Sequence, residues 1–522
     1  MRMRKRKTTA LLLTGAMLLS LAGCNSRTEE AVPGSAGQTT GQEESLTAAG
    51  THEAAESEAV TLKILMPGDR PKNMDAVIEE AEKRMADEGL NIHLNLVFSP
   101  WSDVKQKIEL ILTSGEEIDL VWDNTSSGMA THISKGYFTE LTDLLNEYGP
   151  SIISTRGEKM FEANRYSDGI YAIPLGSNYK QGIHYNIRKD LREAMGMEPI
   201  TNRQQLLDYA YKIKEKYPEL IPITTAGASE PGNNWTTLAL KDTDILASDL
   251  GEVTLYFKED GSVYNFFDTK DPQIWALIEE ARKLYEDGIM DPDVLAQQNY
   301  SNLIWEGKAA ICTSNDFIPD ASSQAKLKGI NPEAEVESVI LTDLTPGKQL
   351  ADFKQWNFIC LSNTSKHKEE AIRFLEWANG NQENYDLLAY GIEGTDWKAV
   401  GKDKYEVLGD GYRWFPYAWI WNPECDRIAA TATENEYAAE KFYRDANNFK
   451  ESKLVGFAFD STPVTTSVSL YKAAFTEYAC ALYNGVIDPE TAFENWKKAD
   501  YNNVKTIQEE MQRQVDEFLK DK

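Results

Sequence analysis

Val60-Thr61-Leu62-Lys63-Ile64-Leu65-Met66-Pro67-Gly68-Asp69 is the stretch on which the fold turns. Its first seven residues alternate as a strand does, and Pro67-Gly68-Asp69 ends the strand in a turn. Beyond it, Met74, Val77, Ile78, Ala81 and Met85 recur at helical spacing, and Gly89 stops that helix. Ile92, Leu94, Leu96 and Phe98 alternate with His93, Asn95 and Val97, a second strand. Asp103 reads as the cap of a second helix, with Val104, Ile108, Ile111 and Leu112 facing inward and Gly115 at its end. Ile118 to Trp122 is a third strand, short and apolar. A β-α-β-α-β order predicts a parallel sheet covered by helices. Ligands of such sheets bind beyond the carboxyl ends of the strands. That edge takes Pro67-Gly68-Asp69 from the first strand and Trp122-Asp123-Asn124 from the third.

Further along, Gly169-Ile170-Tyr171-Ala172-Ile173-Pro174 marks a change of course. Strands are expected at Gly182-Ile183-His184-Tyr185-Asn186, at Ala309-Ala310-Ile311-Cys312 with Thr313 to Asp316 at its end, and at Phe358-Ile359-Cys360-Leu361. The remainder reads as mainly helical. Asn484-Gly485 stops one helix and Asp488-Pro489-Glu490 starts the next. In the last helix Val504, Ile507, Met511, Val515 and Phe518 share a face.

Upstream of Val60 the composition changes. Residues 25–59 hold Glu, Ser, Thr, Gly, Ala and Gln with no aromatic residue, too little apolar surface to offset the entropy of ordering. Such a coil reaches roughly 30–35 Å. Before it, Leu21-Ala22-Gly23-Cys24 follows a basic start (Arg2, Arg4, Lys5, Arg6, Lys7) and an apolar run from Ala10 to Ala22. That run is shorter than the roughly 20 residues of a spanning helix. The pattern is that of a bacterial lipoprotein signal: residues 1–23 are removed, Cys24 receives lipid, and 24–59 becomes a lipidated tether. The plainer alternative is an ordinary cleaved signal with a chance cysteine. Lipidation puts the chain on the extracytoplasmic face of the cell membrane, where two or three acyl chains anchor stably.

At 522 residues the chain is too long for one core, so two or more lobes are expected. The formal charge of −29 becomes more negative once the basic signal is removed, and such a surface repels phosphate backbones, which argues against nucleic acid. After Cys24, four cysteines remain (Cys312, Cys360, Cys425 and Cys480), with none in CxxC spacing; one pair or free thiols are both open. The five histidines show no HxxxH or HExxH, and no GxSxG, P-loop or GxGxxG is present, so no metal, cofactor or nucleophile motif is indicated.

Five motifs stand in order along the chain: Ile118-Asp119-Leu120-Val121-Trp122, Gly136-Tyr137-Phe138-Thr139-Glu140-Leu141, Gly169 to Pro174, Tyr185-Asn186-Ile187-Arg188-Lys189-Asp190-Leu191 and Trp305-Glu306-Gly307-Lys308-Ala309-Ala310. Together they resemble the extracellular solute-binding proteins of ABC importers, the group that includes the maltose-binding protein. Tyr390-Gly391-Ile392-Glu393-Gly394-Thr395, Gly456-Phe457-Ala458-Phe459-Asp460 and Asn484 to Pro489 resemble a lipoprotein subgroup with a C-terminal domain of unassigned function. The resemblance covers about residues 60–520. It implies an α/β two-lobe periplasmic-binding-protein fold with multiple hinge crossings and a helix-rich second lobe. Lobe 1 would take 60–173 and about 345–390, and lobe 2 about 176–342 and 391–522. It further implies a monomeric receptor, not an enzyme, that passes its solute to two transmembrane permease subunits.

The aromatic residues point to carbohydrate, because a flat indole matches the apolar face of a sugar ring while Asp and Asn meet its hydroxyls. Trp101 and Trp122 follow strands at the cleft edge, and Tyr412, Trp414, Phe415, Tyr417, Trp419 and Trp421 crowd into ten residues. Most tryptophans are core residues, so position counts for more than identity. The ligand-binding candidates are Asp69, Trp101, Trp122, Asp123, Asn124, Asp316, Gln355, Trp356, Asn357, Glu393, Trp414 and Trp421. An oligosaccharide is the expected solute. A lipid-anchored glycan hydrolase, with two carboxylates on opposite cleft walls, and a receptor for a peptide or other polar solute are the alternatives.

Overall fold

A computed structural model describes residues 59–522, apart from 167–168, 177, 181, 183, 228–232, 242, 249, 251–252, 315–320, 413 and 415–417. The described residues fall in a single unit, Ser57–Lys522. The signal, Cys24 and the tether lie outside the described residues, as do Asp316, Phe415 and Tyr417.

The strands of the two main sheets are β1 (Val60–Pro67), β2 (Ile92–Ser99), β3 (Leu120–Asn124), β4 (Ile173–Pro174), β5 (His184–Arg188), β6 (Ile221–Thr224), β7 (Ala309–Ser314), β8 (Val336–Val339) and β9 (Asn357–Leu361). Sheet one has the order β2-β1-β3-β9-β4. β1 runs parallel to β2 and β3, and β9 runs antiparallel to both β3 and β4. The covering helices are α1 (Met74–Asp87), which buries Met74, Val77, Ala81 and Met85, and α2 (Val104–Ser114), which buries Val104, Ile108, Ile111 and Leu112. These are the faces the periodicity predicts. Two details differ. Asp103 makes no side-chain cap bond, and the third strand starts two residues later than expected. Gly115 ends α2 at φ +71°, a left-handed turn that suits glycine.

Asp119 accounts for the shifted start of β3. Its carboxylate accepts the Lys63 N–H at 2.8 Å and the Ser365 hydroxyl at 2.6 Å. The residue before the strand therefore ties β1 to the segment that follows β9.

Sheet two has the order β8-β5-β7-β6, with β5 antiparallel to both neighbours and β7 parallel to β6. Its expected strand at 182–186 forms two residues later, over His184–Arg188. A separate, mainly helical core packs residues 240–278, which include a small three-stranded antiparallel sheet, against 454–515. There the last helix, Pro489–Asp521, buries Val504, Ile507, Met511 and Val515 on one face, and the Asp488 side chain caps it by accepting the Thr491 N–H at 2.9 Å.

Two segments near the expected lobe boundaries are placed by the cores they join. Trp397, Tyr412, Trp414, Trp419 and Trp421 pack in the core of sheet one, and Lys404 and Tyr405 pair with Ile428 and Ala429, so the described residues of 391–429 go with sheet one. This segment folds back on the helix Gln382–Tyr390: Trp397 lies 5.4 Å from the Tyr390 ring and its Nε1 donates to Gly391 O at 3.0 Å. Conversely, Leu350 joins the helical core and Phe353 a small core with Phe442, Tyr443 and Phe449, so return to sheet one begins after 353 rather than at 345. Among the described residues, the chain passes between the sheet-one core and the others at 176–184, 352–357 and 430–438.

Candidate functional site

The carboxyl ends of β1, β2 and β3 open on one edge of sheet one. β9, running the other way, begins there. β1 and β2 stop in register, with Pro67 opposite Ser99. Gly68 then turns at φ +89° while its N–H donates to Ser99 O at 2.6 Å. The turn leaves no room for bulk. A Cβ on Gly68 would sit 3.1 Å from Trp101 Nε1 and 3.6 Å from Trp414 Cζ3. Glycine here lets two indoles close on the backbone that carries Asp69, which is exposed.

Two tryptophans on this edge are half exposed. Trp101, just beyond β2, and Trp356, just before β9, each keep 46% of their surface accessible. Two half-exposed indoles on one strand edge leave apolar surface there that a ligand face can cover. Trp101 is held by standing edge-on to Trp122, with centroids 5.4 Å apart and planes at 87°. Trp356 is fixed through its main chain, since its carbonyl accepts the Thr125 N–H at 3.2 Å. β1 and β3 lie between the two indole-bearing strands, which sets their bases roughly 14 Å apart at the usual strand spacing.

Of the other expected ligand residues, Asn124 and Asn357 face each other in the β3–β9 register and are partly exposed. The Asn124 side chain accepts the Ser127 N–H at 2.7 Å and shapes the turn after β3. Glu393 is exposed on a separate loop, where its Oε1 accepts the Ala399 N–H at 3.4 Å.

Four candidates are withdrawn from solvent by packing. Trp122 is fully buried and serves as the wall behind Trp101. Trp421 is buried under the Arg156 guanidinium at 5.8 Å; Arg156 also donates to Pro174 O at 2.9 Å, and burial pushes its pKa down to about 10. Trp414 packs edge-on to Phe98 at 5.2 Å and is 9% exposed, a second-row support of the Gly68 turn. Gln355 lies on a crossing segment: its N–H donates to Asn164 Oδ1 at 2.8 Å and its Nε2 to Asn178 O at 3.0 Å.

Asp123 is a fifth candidate withdrawn from solvent. It is fully buried beneath the edge, its Oδ1 accepting the Asn124 N–H at 2.7 Å and its Oδ2 lying 2.7 Å from His132 Nδ1. Burial raises its carboxyl above the ordinary aspartate value, although the His132 contact opposes that. The partner His132 has no signal in the sequence, because its contacts lie nine and 23 positions away. On sheet two, the Thr225 and Thr313 hydroxyls meet at 3.2 Å near the ends of β6 and β7, a pair that sequence reasoning also misses.

Among the described residues no group of His, Cys, Asp and Glu is placed to hold a metal, and no helix is long and apolar enough to cross a membrane. Cys312, Cys360 and Cys480 are buried and Cys425 is partly buried.

Residues 68–385 match the family model described as bacterial extracellular solute-binding protein, and residues 453–520 match a domain of unknown function, DUF3502. A curated relative from Streptococcus pneumoniae serotype 4, described as a carbohydrate ABC transporter substrate-binding protein, is 24% identical over 470 residues, 88% of this chain and 91% of its own. The crystal structure of the N-glycan transport solute binding protein NgtS from Streptococcus pneumoniae, in complex with Man1GlcNAc, matches with a TM-score of 0.69 at 21% identity. The match covers 88% of this chain and all of that one. An HMO binding ABC-transporter associated solute binding protein from Bifidobacterium longum infantis matches with a TM-score of 0.59 at 15% identity, over 88% of this chain and 99% of its own. These structural likenesses show the two-lobe fold.

Proposed function

The chain belongs to the bacterial extracellular solute-binding protein family, and on that premise we propose that it captures an oligosaccharide and presents it to an ABC importer. The observation that carries this reading is the pair of half-exposed tryptophans, Trp101 and Trp356, on one strand edge with Asp69, Asn124 and Asn357 around them. Indole faces suit sugar rings, and carboxylate and amide groups suit hydroxyls. A base separation of roughly 14 Å across three strand spacings favours a ligand longer than one sugar. The S. pneumoniae relative described as a carbohydrate substrate-binding protein supports the same solute class.

No bond is made or broken in this role. Ligand between the lobes favours the closed state by its differential affinity, with 176–184, 352–357 and 430–438 as the flexing segments. Lipid on Cys24 and the tether 25–59 would keep the receptor beside two transmembrane permease subunits.

Calorimetric titration of the mature chain with Man1GlcNAc, a longer mannosyl oligosaccharide and oligopeptides tests the reading. Saturable binding of a glycan with no product formed supports it. Binding of peptides alone, or turnover of the glycan, contradicts it. Mass spectrometry of the membrane-extracted protein for acyl groups on Cys24 tests the anchor.

A further inference from the structure

The imidazole of His132, on the helix Met129–Ser134, is 2% exposed and lies between two carboxylates. Its Nδ1 is 2.7 Å from Asp123 Oδ2 on β3, and its Nε2 is 2.9 Å from Glu109 Oε2 on α2. A carboxylate only accepts, and a neutral imidazole has one N–H and one lone pair. With a neutral ring, one of these contacts would set lone pair against lone pair. Both are satisfied together only if the three groups hold one extra proton. The ring is the most basic of the three, so the proton belongs there.

The surroundings agree. Lys135 Nζ reaches Glu109 Oε1 at 3.4 Å, on the far side of that carboxylate from the ring. The Tyr137 and Phe138 rings flank the imidazole with centroids at 6.3 Å. On β9, the Cys360 thiol stays protonated, held up by burial first and by the buried Asp123 charge second. Among the described residues, the charges that act on the ring are the two anions Asp123 and Glu109.

We propose that His132 is an imidazolium strut, a positioning residue that fixes Asp123 and through it the turn of Asn124 and Thr125 on the ligand edge. The chain of contacts is short. Asp123 Oδ1 holds the Asn124 N–H, the Asn124 side chain holds the Ser127 N–H, and the Thr125 N–H holds the carbonyl of Trp356. Loss of the proton leaves one N–H for two carboxylates, so the ring no longer braces Asp123 against Glu109 and the strut loosens. The function of the strut at a ligand edge rests on the solute-receptor reading; its charge state does not.

The test uses the mature chain with isotope-labelled histidine and tryptophan, without ligand. The His132 signal is assigned by its loss in His132→Gln, and Glu109→Gln, on an exposed helix face, preserves the fold. Two protonated ring nitrogens well above pH 6.5, with a midpoint lower by about one unit in Glu109→Gln, are expected, since the amide can donate to a neutral ring. The Thr125 amide and Trp356 indole signals should move with the same midpoint. A neutral His132 at pH 6.5, or an unmoved midpoint in Glu109→Gln, overturns the strut. Thr125 and Trp356 signals indifferent to that midpoint overturn its positioning role. If Man1GlcNAc and longer glycans fail to bind at every pH, the receptor reading fails while these signals still decide the strut.

Discussion

Gln355 and Gly176 meet across the first two crossing segments with no space between them: a Cβ on residue 176 would overlap Gln355 Oε1. The contact locks 176–184 to 352–357, together with the bonds from Gln355 to Asn164 and Asn178 and from Leu175 N–H to Asn357 O at 2.9 Å. Gly176→Ala should therefore cost about 1–3 kcal/mol by overpacking. Gln355→Ala in the same chain should return most of that loss in a double-mutant cycle read by urea unfolding. Equal stability of Gly176→Ala and wild type would remove the contact from the account.

The tryptophans divide into supports and surfaces, and substitution separates them. Trp421→Ala removes a buried ring and should lower stability by about 3–5 kcal/mol. Trp101→Ala and Trp356→Ala act on half-exposed rings and should change stability by no more than about 1 kcal/mol while weakening glycan binding at least about tenfold. Thermal unfolding and calorimetry on the same samples check both.

Asp119→Ala leaves the Lys63 N–H and the Ser365 hydroxyl without their acceptor at the start of β3. An expected loss of about 1–3 kcal/mol follows from the desolvated donor alone. Hydrogen exchange should show the Lys63 amide opening earlier than its neighbours in β1.

Stability should depend on pH through His132. Burial works against its charge, but Asp123 and Glu109 together hold its pKa above the ordinary histidine value. Its contribution is complete below the unfolded value of about 6.5 and is lost as pH rises through the higher folded-state value. The buried Asp123 carboxyl is raised too, so its effect has the same sign at more acidic pH. The urea midpoint of wild type should fall more between about pH 6.5 and about pH 8.5 than that of Glu109→Gln. Parallel curves would contradict the charge assignment.

The first 65 residues of the folded chain were legible because each element carries its own period. Val60 to Met66 alternates, Met74 to Met85 steps by three and four, and Gly115 ends α2. Asp119 was visible as a motif, yet its two acceptor contacts were not, because Lys63 and Ser365 are 56 and 246 positions away. The candidate edge was legible from topology, which put Gly68, Asp69 and Asn124 together. The burial of Trp122, Trp414 and Trp421 was not. An indole reads the same in sequence whether it faces a core or a ligand. Residues 391–421 show the same limit: their aromatic content announces burial but not which core receives it. Asp123 looked like a ligand group for want of a visible partner, and that partner, His132, is found only when β3 and the helix Met129–Ser134 pack.

The central claim is that the Trp101–Trp356 edge receives an oligosaccharide without consuming it. Calorimetry of the mature wild-type chain and of Trp101→Ala and Trp356→Ala, with the glycan recovered and sized afterwards, tests this most directly. Saturable binding that each substitution weakens, with the glycan intact, is predicted. Shortened glycan, or affinity unchanged by both substitutions, would contradict it.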